Sequence, residues 1–186
     1  MNCFRSGAVI LVTLLFTVVP LSVSAQETPD SSSTQTEISI PNPERLLDRD
    51  NVALRETTRT FPSAKFKGLQ KRYSTIDGIV MVGVTTADGR VLLKGPDEWS
   101  PPGGAVQPDE DWAAAARRAI KEETGAKIRI DVPVLVERMY FQPEGSQNEQ
   151  FSALILHVEA SLKNKDPSAL NITEEDNTSP SLQWFD

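Results

Sequence analysis

The chain has 186 residues, a formal net charge of −7, one cysteine and one histidine. That length allows one domain of ordinary size with extensions, and the acidic balance argues against a nucleic-acid backbone as partner. A lone cysteine, Cys3, excludes an internal disulfide, and a lone histidine, His157, excludes a multi-histidine metal site.

In chain order, Arg5 is followed by an almost wholly apolar run from Gly7 to Leu21 and then by the small-residue pattern Val23-Ser-Ala25. This reads as a secretory signal peptide over residues 1–25, which predicts an exported or secreted protein. An uncleaved membrane anchor is the second reading, because the run approaches spanning length. A misassigned start, which would leave the protein cytoplasmic, is the third. Residues 26–63 begin with a stretch rich in Ser, Thr, Pro and acids and are expected to be a flexible linker. Residues 64–74 read as a short extension, helical around Phe66 and Leu69. Lys65, Lys67, Lys71 and Arg72 there form either a solvated face or a phosphate contact.

The folded domain is expected over residues 75–186. Ile79-Val-Met-Val-Gly-Val84 is β-branched and apolar, as in a buried strand. Asp88-Gly89 supplies a turn, and Arg90–Lys94 the returning strand. Trp99-Ser-Pro-Pro-Gly-Gly104 is an extended lead into a helix, with Trp99 read as a packing residue. Gly103 and Gly104 suggest a backbone conformation that a Cβ would resist. Pro108-Asp-Glu-Asp111 reads as a helix start with acids in the first turn. Four alanines continue it, Trp112, Ala116 and Ile120 recur on one face, and Gly125 ends it.

The polar residues of this helix cluster on its last turns. Positions 119, 122 and 123 share one face, and two of them are carboxylates, Glu122 and Glu123. A charged outer face is one reading. The other is a pair of oxygen ligands for a hard divalent cation, which could neutralise a pyrophosphate and activate a water. Beyond the helix, Lys127–Ile130 and Val132–Tyr140 read as strands, with Pro133 marking an edge or bulge. Phe151–Glu159 is a further strand that contains His157, and Leu182–Asp186 is an aromatic one. Asn171-Ile-Thr173 and Asn177-Thr-Ser179 match the glycosylation pattern.

From Gly104 to Ala126 the sequence resembles the Nudix box, G-x5-E-x7-R-E-U-x-E-E-x-G-U, where U is a bulky aliphatic residue. Gly104, Glu110, Arg118, Ile120, Glu122, Glu123 and Gly125 fall in register. Ala126 stands at the last aliphatic place, and Ala119 stands where the family has the first Glu of its Arg-Glu pair. The resemblance covers residues 75–186 and implies an α/β fold, an α/β/α sandwich with a mixed β-sheet. The family commonly adds a final helix after such an aromatic strand, which is missing here, as in a shortened domain or a fragment. Its loss would uncover one face of the sheet.

The resemblance also implies Mg²⁺ or Mn²⁺ as cofactor, held by Glu122, Glu123 and the carbonyl of Gly103. Arg118 would orient the glutamates, and Glu110 and Gly125 would support the box. Gly103 and Gly104 would line the substrate. A further carboxylate from a distant loop is common in the family, and Glu149, Glu174 and Glu175 are candidates. The implied activity is hydrolysis of a nucleoside diphosphate linked to another moiety. The alternative is a catalytically impaired module that binds nucleotide or metal. The expected partner is a nucleotide-type small molecule, with a membrane involved only if the N-terminal segment is uncleaved. Oligomeric state is left open.

Overall fold

A computed structural model of the chain describes residues 37–95, 99–146, 148–164 and 182–186. The expected signal peptide, the acidic run Glu174–Asp176 and both glycosylation patterns lie outside these residues. After a short 3₁₀ turn at Pro43–Asp48 come strand β1 (Ala53–Phe61) and helix α1 (Ser63–Tyr73). Strands β2 (Gly78–Thr85), β3 (Val91–Lys94) and β4 (Gly103–Val106) lead to helix α2 (Trp112–Thr124). Strands β5 (Ile128–Pro143), β6 (Phe151–Leu162) and β7 (Leu182–Phe185) complete the order. Among the described residues, no helix is long and apolar enough to cross a membrane.

These strands form one mixed sheet in the order β1-β5-β6-β2-β3-β7, with β4 paired to β2. The β1–β5 and β2–β6 pairings are parallel, and the rest are antiparallel. Side chains alternate between the two faces of a strand, and β6 shows both destinations. Leu156, Val158 and Ala160 join the core beneath α2. Phe151, Ala153 and Ile155 join a second cluster with Phe66, Leu69 and Tyr73 of α1. The two helices therefore lie on opposite faces, which makes the α/β/α sandwich. The face opposite α2 is partly covered by α1. The apparent pair of strands at 127–140 is one long strand, with register shifts around Asp131 and Pro133.

The stretch expected as a linker and extension differs most from its sequence reading. From residue 37 onward it belongs to the folded unit. Ile40, Leu46 and Val52 are buried in the main core, and β1 runs parallel to β5 over its full nine residues, Ala53↔Leu135 to Phe61↔Pro143. The reason is that a few spaced apolar residues suffice to anchor a segment whose average composition is polar.

Helix α2 starts later than its acids suggest. No acid sits in its first turn. Asp111 is the N-cap, accepting from the Ala114 N–H at 2.9 Å. Its second oxygen accepts from the Ile40 N–H at 2.6 Å and the Ser39 hydroxyl at 2.7 Å. One carboxylate thus caps the helix and ties the preceding segment to it. Asp111→Ala is expected to lower stability by about 1–2 kcal/mol, read as an earlier denaturant midpoint. An unchanged midpoint would show that water replaces the cap without loss.

Candidate active site

The sequence-expected site residues lie on two adjoining elements, β4 and the second half of α2. Strand β4 pairs with β2, Met81 opposite Gly103 and Val80 opposite Gly104. Neither glycine has the left-handed φ that its residue type suggested. Close approach is what demands them. A Cβ on Gly103 would stand 2.1 Å from the Val80 carbonyl oxygen, and one on Gly104 would stand 2.8 Å from the Ala119 Cβ. Gly104 thus lets β4 pack directly on α2 at Ala119. Gly125 does adopt a left-handed conformation, φ 74°, and its N–H closes the helix on the Lys121 carbonyl.

Arg118 is the fixed point of the site. Its Nε and Nη2 donate to the two oxygens of Glu110 at 2.8 Å each. Nη2 also donates to the Ala105 carbonyl at 2.8 Å, and Nη1 reaches Glu122 at 3.3 Å. The planar guanidinium suits such a bidentate carboxylate. It fastens α2 to β4 and to the turn that carries Glu110. Arg118 thus touches Glu122, and the contact of Glu123 is a different one.

The two adjacent carboxylates have different surroundings. Glu122 is mostly exposed, whereas Glu123 is largely buried and forms an ion pair with Lys94 at the end of β3. From sequence, Lys94 reads only as the end of a strand. The usable signal was a basic side chain ending a strand just before the loop into Gly103-Gly104. The main chain there is held firmly: Lys94 N–H donates to the Ser100 carbonyl at 2.8 Å and the Ser100 N–H returns to the Lys94 carbonyl at 2.9 Å.

The second oxygen of Glu123, Oε2, is buried without a hydrogen-bond partner. A buried carboxylate oxygen left unpaired is costly, and a hard cation at that oxygen would satisfy it. Glu123 is the donor that suits such an ion; Glu122 precedes it in helix order but is mostly exposed and paired with Arg118, and Gly103 lies on the adjoining strand β4. Ala119, buried against Gly104, contributes no oxygen. Among the described residues no group of three His, Cys, Asp or Glu side chains is placed to hold a metal ion, so Glu149 does not complete the set. Glu174 and Glu175 lie outside the described residues.

Other residues singled out in the sequence stand elsewhere. Lys65, Lys67, Lys71 and Arg72 lie on the exposed side of α1, across the sheet from α2. Trp99 packs edge-on against Phe185 at 4.9 Å between ring centres and stays 38% exposed. His157 faces Glu137 at 3.5 Å, and Glu137 also takes hydrogen bonds from Arg55 at 2.6 Å and Thr57 at 3.0 Å. Burial lowers the His157 pKa against the opposing pull of Glu137.

The Arg118 hydrogen bonds hold the Glu110 carboxyl below its ordinary pKa, against a smaller rise from burial. A lowered folded-state pKa means that this ion pair stabilises the protein above the ordinary carboxylate range. The contribution is lost as pH falls through the lowered value. The stability difference between wild type and Glu110→Gln should therefore be largest near neutral pH and shrink in acid. A difference flat with pH would contradict the coupling.

Comparison with known proteins places these residues in a family. The family model described as NUDIX domain matches residues 75–186, more than half of the chain. No curated protein sequence matches it. Among solved structures, the MutT protein from Bacillus halodurans is 22% identical, with a TM-score of 0.42. That match covers 57% of this chain and 65% of the other, so the chain spans just under two thirds of that protein's length. A NUDIX-family hydrolase from Clostridium perfringens is 19% identical at a TM-score of 0.40, covering 59% of this chain and 80% of the other. The Ap4A hydrolase from C. elegans is 19% identical at 0.35, covering 59% and 79%. Given the family-model match over residues 75–186, which takes in the box and every strand of the sheet but β1, the chain belongs to the Nudix family.

Proposed function

We propose that this chain is a metal-dependent hydrolase that cleaves the pyrophosphate bond of a nucleoside diphosphate linked to another moiety. The observation that carries the reading is the Glu123 carboxylate, largely buried one turn beyond Ala119, which packs on Gly104, and left with one oxygen unpartnered. Glu123, Glu122 and the Gly103 carbonyl would hold Mg²⁺ or Mn²⁺. Such an ion, when bound, neutralises phosphate charge and lowers the pKa of a bound water.

The chain's own residues supply position and charge. Arg118, locked on Glu110 and the Ala105 carbonyl, keeps α2 and β4 in register. It also holds the mostly exposed Glu122 at the edge of the site. Gly103 and Gly104, having no side chains, let β4 pack closely on β2 at Val80 and on α2 at Ala119, which sets this strand beside the helix that carries the glutamates. In the net reaction, water adds to one phosphorus, the bond from that phosphorus to the bridging oxygen breaks, and two phosphate products leave.

Ala119 and the Lys94–Glu123 ion pair favour a second reading, a module that keeps the fold and binds ligand with little turnover. The two readings are separated by incubating the chain with nucleotide sugars, dinucleotides and nucleoside triphosphates, with Mg²⁺ or with chelator. Turnover that stops with chelator supports the hydrolase. Ligand binding without turnover supports the module.

A further inference from the structure

We infer that Lys94 is a built-in cation of this site, whose ammonium holds Glu123 and must yield that carboxylate before a divalent ion can take it fully. The inference rests on the reading of Glu123 as a metal ligand given above. Three observations carry it. First, Lys94 pairs with Glu123, the more buried of the two adjacent carboxylates, while the exposed Glu122 pairs with Arg118. Second, the reach of Lys94 is set by its backbone. The residue is fixed on one side by the paired hydrogen bonds with Ser100 and on the other by β7, where it faces Leu182. Third, the position one turn before Glu123 is Ala119, buried against Gly104.

Charge makes these observations one argument. Glu110, Glu122 and Glu123 face two cations, Arg118 and Lys94. With no carboxylate at position 119, the site carries one negative charge fewer than a glutamate there would give. A cluster so nearly balanced attracts a doubly charged ion weakly. An ammonium in contact with the ligand also opposes such an ion directly. Lys94 therefore sets how tightly the site holds its metal: an ion at the unpartnered Oε2 meets the ammonium's charge, and one that takes both oxygens displaces it from Oε1.

The test is calorimetric titration of Mn²⁺ into the full chain, for wild type, Lys94→Met, Lys94→Arg and the double variant Lys94→Met/Glu123→Gln. Methionine keeps an apolar stem of similar reach, and thermal unfolding without metal checks that each variant is folded. Lys94→Met is expected to bind Mn²⁺ about tenfold more tightly than wild type, as the loss of one opposing charge in contact implies. Lys94→Arg should stay near wild type, and the gain should vanish in the double variant. If wild type binds Mn²⁺ and Lys94→Met binds it no more tightly, the inference falls while Glu123 as a ligand stands. A gain that survives Glu123→Gln also overturns it. If neither wild type nor Lys94→Met binds Mn²⁺, both the inference and the metal reading fall.

Discussion

Glu123→Gln is expected to lower turnover by about 100-fold or more, the scale of losing one preorganised charge-stabilising group. The change preserves shape and removes one negative charge. Of the two adjacent carboxylates, only Glu123 is turned inward against β3, with an oxygen that no protein group satisfies. The corresponding Glu122→Gln should cost less, because Glu122 is mostly exposed and its partner Arg118 keeps its bidentate hold on Glu110. Steady-state rates on one substrate, with circular dichroism to confirm folding, decide the matter. Glu123→Gln at wild-type rate would remove this carboxylate from the mechanism.

Phe66→Ala is expected to cost about 3–5 kcal/mol, the range for truncating a fully buried aromatic. Phe66 is 1% exposed. It packs on Phe151 at 5.3 Å between ring centres, within a cluster where Phe141 and Phe151 stack at 4.7 Å. Phe66 is the one fully buried residue of α1, whose N-cap makes no side-chain hydrogen bond; the partly buried Leu69 and Tyr73 add to its hold on the same cluster. Chemical denaturation gives the number. A loss under about 1 kcal/mol would mean that the cavity collapses or that α1 contributes little to the fold. The result also bears on domain extent, since α1 precedes the residues that the family model matches.

Helix α2 was legible because its signals agree: an alanine run, core residues at helical spacing and a terminal glycine. Trp112, Ala116 and Ile120 are all buried, and Gly125 closes the end. Strand β1 was not legible. Arg55, Glu56, Thr57, Thr58, Arg59 and Thr60 offer no alternation, and most of β1 is exposed on both faces. An edge strand bonded to one neighbour through its backbone needs no apolar face, so hydrophobic pattern cannot announce it.

At the site, local spacing identified the register of Arg118, Glu122 and Glu123, because helix geometry fixes which side chains share a face. It could not separate the surroundings of Glu122 from those of Glu123, since that depends on β3. Lys94 meets Glu123 only through the fold, by way of a strand on another part of the sheet. The glycine pair shows a related limit. Sequence suggested an unusual φ, but the requirement comes from the Val80 carbonyl and Ala119 across the packing interface.

The most direct measurement is product release from the nucleotide panel by the full chain with Mg²⁺, with Glu123→Gln measured in parallel. The predicted result is cleavage of a pyrophosphate linkage in at least one nucleoside diphosphate derivative, stopped by chelator and lost in Glu123→Gln. Cleavage that proceeds equally in chelator, or equally in Glu123→Gln, would contradict a metal-dependent hydrolase centred on Glu123.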